Sequence, residues 1–292
     1  VNYTIKHRTT YTYASDVAYS RLVAHLVPRT TTRQRPAAFE ISVVPEPAKS
    51  SARFDFFGNA TNWFTIDEPH DVLDIFAESN VTVDPVPAFA PQASQGWDAV
   101  RTTFESPADQ ATLDALQYTF DTPLTRSNEE LLAYARRSFP RGRPLLACVL
   151  DLNARIYADF TFDKEATDTR TTVARAFELK AGVCQDFAHV GIAAIRTLGL
   201  AARYVSGYLL THPPPGRERL VGADASHAWL SVWIPPYGWI DFDPTNNMLP
   251  SSEHITVAWG RDYADVAPIH GIITGGSDHE VDVAVDVLPT NA

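Results

Sequence analysis

The chain has 292 residues, 45% of them apolar and 20% charged, the balance of a globular protein with one large domain or two ordinary ones. Its formal charge of −11, from 24 basic and 35 acidic side chains, argues against a nucleic acid partner, which needs clustered Lys and Arg. No apolar run approaches the roughly 20 residues that cross a bilayer, and the opening Val1–Thr10 segment is polar and strand-like, so no membrane partner and a cytoplasmic location are expected.

From the N-terminus, short runs rich in Thr, Val, Tyr, Phe and Ile read as strands: Val1–Tyr13, Phe39–Val44, Arg53–Phe57, Thr61–Ile66 and Val72–Val83. Turn-like clusters separate them, at Pro45-Glu46-Pro47, Gly58-Asn59 and Glu68-Pro69-His70, a spacing that suggests a β-sandwich over residues 1–93. The stretch from Asp84 to Pro91 holds three prolines after its first residue and reads as a linker. The pattern then turns helical. Ser127-Asn128-Glu129-Glu130 reads as a capping box opening a helix that ends near Phe139-Pro140. Leu145–Tyr157 and Val173–Lys180 are further helices. Gln185–Leu198 is a mainly apolar one, with Gly199 as its C-terminal stop. Strands are expected at Ala202–Leu210, His227–Ile234 and Trp239–Asp243. His279–Val287 alternates strictly, with Val281, Val283, Val285 and Val287 on one face. The expected division is a sandwich over 1–93, a core over 94–270, and a strand within 271–292 that returns to the sandwich.

Two cysteines, Cys148 and Cys184, make no disulfide framework and fit a reducing compartment. CxxC, HExxH, GxxxxGK[ST] and GxGxxG motifs do not occur, so no metal and no cofactor is expected. Cys148 lies mid-helix and reads as structural. Cys184 is different, because it sits where a helix begins. Free backbone N–H groups and the helix dipole there favour the thiolate, the reactive form, and can also bind an oxyanion. Gly182 lets the chain turn into that helix. His227 opens a strand whose alternation puts His227, Trp229, Ser231 and Trp233 on one face. Pro235-Pro236-Tyr237-Gly238 turns the chain into a returning strand in which Trp239, Asp241 and Asp243 share a face. A hairpin centred on Pro235 sets Asp243 opposite His227 and Asp241 opposite Trp229, with Asp241 as the rival carboxylate. The chemistry such a set suggests is nucleophile, base and orienter, in acyl transfer.

GVCQDFAH, SHAW and GWIDFDPTNN resemble the bacterial transglutaminase-like family, whose core is papain-like. HRTTYTYASDV near the front and GRDYADVAP from Gly260 to Pro268 are similar to further segments of that family, so the resemblance covers nearly the whole chain. It implies an α+β fold: an N-terminal β-sandwich, then a papain-like transglutaminase core with a helix-borne Cys packed on an antiparallel sheet carrying His and Asp, then a C-terminal strand. It implies Cys184 as nucleophile, His227 as base and Asp243 as orienter, acting on a peptide or protein amide through a thioester. Hydrolysis is the expected outcome; an amine-accepting crosslinker and a non-catalytic papain-like binding module are the alternatives. Gln185 either faces the oxyanion or serves the helix start, and Asp224 is a supporting residue beside His227. His189, about 140° around the helix from Cys184, reads as structural. Trp229, Trp233 and Trp239 read as core rather than as a substrate platform. His212–Ala225 reads as a surface loop, and Asp262, Tyr263 and Asp265 have no assigned role.

Overall fold

The computed structural model describes residues 1–212, 222 and 225–290. The chain opens with β1 (Asn2–Ala24), and β2 (Gln34–Val44), β3 (Lys49–Phe54), β4 (Ala60–Ile66) and β5 (His70–Val83) follow. Alternate residues of β1, Tyr3, Ile5, His7 and Thr9, are buried, as the period of a strand requires. The first strand, read from sequence as ending at Tyr13, runs on to Ala24 because it changes partners instead of stopping. Asn2–Thr12 pair with β5, Ser20–Ala24 pair with β4, and the ladder is irregular between Thr12 and Val17. The sheet order is β2-β5-β1-β4-β3. The two layers are therefore wings of one hydrogen-bonded sheet. Leu73, Ile75 and Ala77 of one wing meet Phe64 and Ile66 of the other around Val17 and Leu22.

Beyond the proline-rich stretch come α1 (Trp97–Thr103), α2 (Gln110–Leu116), α3 (Glu129–Arg136) and α4 (Leu145–Asp159). The cap of α3 is Asn128, whose side chain accepts from the Leu131 N–H at 2.8 Å. Ser127, expected to cap it, instead bonds Asp121. The short β6 (Thr161–Phe162) pairs with β7 (Ala181–Gly182) in parallel, across α5 (Val173–Leu179). Directly after β7 comes α6 (Cys184–Arg196), which is buried almost throughout.

A second, antiparallel sheet follows, built from β8 (Ala202–Leu209), β9 (Ala225–Ile234), β10 (Gly238–Phe242) and β11 (His254–Gly260) in the order β10-β9-β8-β11. α6 packs on β9, with Gly191 seated against Leu230 so closely that a methyl group there would crowd its side chain. The far end of α6 is fastened by Arg196, which donates to the carbonyls of Tyr118, Ala202 and Arg261 and to the Thr125 hydroxyl. After α7 (Tyr263–Val266), β12 (Ile269–Gly275) and β13 (His279–Thr290) return to the first sheet. β12 pairs with Val17–Ala24 and β13 with Asn2–Tyr13, so β1 is flanked on both sides along most of its length. Val285 and Val287 of β13 join Tyr3 and Ile5 of β1 in the same buried cluster as Tyr208 and Leu230. One core thus runs between the two sheets. Among the described residues, no helix is long and apolar enough to cross a membrane.

Candidate active site

The start of α6 is built by one carboxylate. Asp186 Oδ2 accepts from the Val183 N–H at 2.8 Å and from the Thr167 hydroxyl at 2.6 Å. Its side chain lies against Gly182, where any Cβ would overlap the carboxylate. Glycine is therefore required two residues before Cys184 for a packing reason as well as for the turn. The result places Cys184 as the first helical residue, partly exposed, at the end of α6 toward which the helix dipole is positive. Gln185 uses its side-chain amide on the Thr169 carbonyl at 3.2 Å, which ties down the loop before α5.

His227 and Asp243 come from the β9–β10 hairpin. Its loop is Pro235–Tyr237, closed by a Tyr237 N–H to Ile234 carbonyl bond, and Gly238, at φ +80°, pairs with Ile234. A glycine in the left-handed region after a tight turn is the usual closure of a three-residue loop. It centres the hairpin on Pro236 and not on Pro235, the centre read from the sequence. Asp241 is therefore level with Ser231, and Asp243, just past the last pair, with Trp229. A shift of two residues preserves the faces. Each carboxylate then reaches its diagonal neighbour: Asp243 Oδ2 lies 2.7 Å from His227 Nε2, and Asp241 Oδ2 accepts from Trp229 Nε1 at 3.2 Å. Asp241 serves the indole, not His227.

Because the Asp243 carboxylate can only accept, His227 Nε2 carries the hydrogen, and Nδ1 is the nitrogen free for Cys184. Cys184 lies close enough to the ring for its side chain and charge to act on His227. Burial disfavours a charged His227, but the hydrogen bond to Asp243 and the side chain of Cys184, with their charges, outweigh it and raise its pKa to about 10. Burial of Asp243 acts in the opposite sense to its bonds, and those from His227, His254 and Asn246 hold its carboxyl well below the usual range. His254, a residue the sequence reading did not single out, bonds Asp243 Oδ2 at 3.1 Å. The Thr245 and Asn246 amides hold Oδ1 at 3.0 and 3.2 Å, and the Asn246 side chain holds Oδ2 at 2.7 Å. His227, Asp243 and His254 also form a group of donors that could hold a metal ion, though hydrogen bonds already link all three.

The remaining sequence candidates fall elsewhere. Asp224 lies outside the described residues, as does most of the His212–Ala225 loop. Cys148 is buried, gives its thiol to the Arg143 carbonyl, and is pushed up to about 12 by burial. His189 accepts from the Tyr263 N–H at 3.2 Å, and burial lowers its pKa to about 3. The GRDYADVAP residues gain roles from this. Asp262 caps α7 through the Ala264 N–H, and Asp265 binds both the amide and the guanidinium of Arg261. The motif thus braces α6 through His189 and Arg196. Trp229 is fully buried, and with Trp233 and Trp239 it lines a cavity of about 1120 Å³ between the two sheets, which His254 and Asp241 also border.

Residues 3–82 match the bacterial transglutaminase-like N-terminal region, and residues 135–244 match the transglutaminase-like superfamily. The chain belongs to the bacterial transglutaminase-like family. Over 295 residues it is 42% identical to an uncharacterized protein of Mycobacterium tuberculosis, covering 98% of this chain and 92% of that one. Over 117 residues, 39% of this chain and 17% of the other, it is 30% identical to a protein-glutamine gamma-glutamyltransferase of Pseudomonas aeruginosa. The fold matches a solved structure from Cytophaga hutchinsonii, named a putative cysteine protease. The TM-score is 0.75 at 21% identity, covering all of this chain and 92% of that one. The mixed α+β architecture, mainly antiparallel, is therefore the transglutaminase-like one.

Proposed function

We propose that this chain is a cysteine-dependent hydrolase of peptide or protein amides that works through a thioester on Cys184. The observation that carries this reading is the line Asp243–His227–Cys184, in which Nε2 of His227 is held by a buried carboxylate and Nδ1 is left for the thiol. His227 takes the thiol proton, and the thiolate attacks the amide carbonyl. The oxyanion forms beside the leading N–H groups of α6. His227 then gives its proton to the departing amine, a water loses a proton to His227, and the thioester is cleaved to the acid. Asp243 keeps the ring in the tautomer and orientation both steps need.

The likeness of fold to the Cytophaga hutchinsonii protein supports hydrolysis, and the match to the Pseudomonas aeruginosa transferase supports a second reading, in which an amine replaces the water. The first half of the reaction is the same for both. A peptide library incubated with and without a primary amine, using the protein and its Cys184→Ala variant, separates them. Hydrolysis predicts shortened peptides or free acids that do not depend on the amine and are lost with Cys184. Amine-conjugated products would establish the transferase, and turnover unchanged in Cys184→Ala would overturn both.

A further inference from the structure

We propose that His254 is a positioning residue of this site: it fixes Asp243 Oδ2 from the side away from the hairpin, so that His227 presents Nδ1 to Cys184. The inference rests on the reading of Cys184, His227 and Asp243 given above. His254 stands at the start of β11, at the opposite edge of the sheet from β10 with β9 and β8 between them, and reaches Asp243 because the chain doubles back after Asp243 through the Asp243–Met248 bridge.

Its tautomer follows from its neighbours. The Ser251 backbone N–H lies 3.2 Å from His254 Nδ1, and a backbone amide can only donate. Nδ1 is therefore the acceptor, and Nε2 carries the hydrogen it gives to Asp243 Oδ2 at 3.1 Å. The ring is held in that orientation by an edge-on contact with Trp229, whose centroid is 5.3 Å away at 88°. Its side chain is 1% exposed, so water does not compete for the bond.

Oδ2 is thus shared by three donors, His227, His254 and the Asn246 side chain, while two backbone amides hold Oδ1. The backbone amides fix one oxygen, but a carboxylate held at one oxygen can still swing the other. His254 and Asn246 close that freedom. Without His254, Oδ2 can leave the plane of the His227 ring, and the ring loses the reference that keeps Nδ1 on the sulfur.

The test uses the full chain. His254→Phe keeps a flat ring against Trp229 but removes the donor. His254→Gln places an amide N–H where Nε2 stood. The readout is the rate of Cys184 alkylation by iodoacetamide as a function of pH, followed by mass spectrometry, together with circular dichroism to confirm folding. His254→Phe is expected to alkylate about tenfold more slowly at neutral pH, with its midpoint displaced upward by about one pH unit; His254→Gln is expected to stay within about threefold of the parent. A His254→Phe profile that overlays the parent's overturns the inference, as does a His254→Gln variant as impaired as His254→Phe, which would make the role one of packing. His227→Ala separates the two levels. If it leaves the alkylation profile unchanged, the reading of the site fails; if it shifts the profile while His254→Phe does not, only the role of His254 fails.

Discussion

Asp241 and Asp243 are two residues apart, on one face of one strand, and yet they meet different partners. The difference is position past the end of pairing. Asp241 is inside the ladder and accepts from Trp229 Nε1, while Asp243 lies beyond it, where the chain turns and five donors converge on one carboxylate. Asp243→Asn keeps the shape but puts an amide where His227 needs an acceptor. It is expected to lower the turnover rate by on the order of 10²- to 10⁴-fold, as when a catalytic histidine loses its orienting carboxylate. Asp241→Asn retains an oxygen for the indole and is expected to cost roughly tenfold or less. Steady-state kinetics on both folded variants checks the order, and a larger loss at Asp241 would exchange their roles.

At the scale of elements, the site depends on close approach between strands. Gly207 of β8 pairs with His227, and a Cβ at Gly207 would run into the Ile255 carbonyl of β11 and the Trp229 ring. Backbone cannot yield there as a flexible side chain could. Gly207→Ala is expected to destabilise the protein by about 2–4 kcal/mol, seen as a lower urea midpoint. Gly142→Ala, in open space at φ +75°, is expected to cost only about 1 kcal/mol for its backbone conformation. Equal midpoints for the two variants would mean that β8 and β11 have room to separate.

The same elements show what a sequence discloses and what it withholds. The α6 start and the hairpin were legible because each is one contiguous segment with its own turn chemistry: Gly182 before Cys184, and Pro235 to Gly238 between two alternating strands. The two-residue error in register came from weighing the prolines and not Gly238, the residue whose positive φ sets the closure. β11 and β12 were not read as strands. Ile255 and Val257 alternate, but the partners that make them strands, β8 and β1, lie far away in the chain. His254 was missed for the same reason, since its bond to Asp243 exists only once β11 has joined the far edge of the sheet.

Across the whole molecule, among the described residues, His7 and His189 stand deepest where the packing leaves no room for charge, and burial also lowers the pKa of His270. His7 of β1 bridges the two sheets: Tyr208 Oη of β8 lies 3.0 Å from its Nδ1, and its Nε2 is 2.8 Å from the Thr9 hydroxyl. His189 of α6 accepts from the Tyr263 amide and so must keep Nε2 unprotonated. Burial lowers the pKa of His7 to about 4 and of His189 to about 3, the latter helped by the charge of Arg196. In the unfolded chain both titrate near the ordinary value of about 6.5. Below that pH the unfolded state binds protons that the folded state refuses, so stability falls as pH falls, by up to about 1.4 kcal/mol per pH unit for each group. His227 adds nothing to this limb, because its folded pKa is raised and it is protonated in both states below about 6.5. Its stabilisation is instead lost as pH rises from there toward about 10. Stability is therefore expected to be highest near neutrality. Urea unfolding between pH 6.5 and 5 is expected to show a falling midpoint in the parent. His189→Gln keeps an oxygen acceptor for Tyr263 but cannot be protonated, and should make that fall clearly less steep, leaving the part due to His7 and His270. An acid limb of unchanged slope in His189→Gln would show that this histidine accepts a proton without leaving its bond, and that the junction of α6 with α7 is looser than its hydrogen bonds imply.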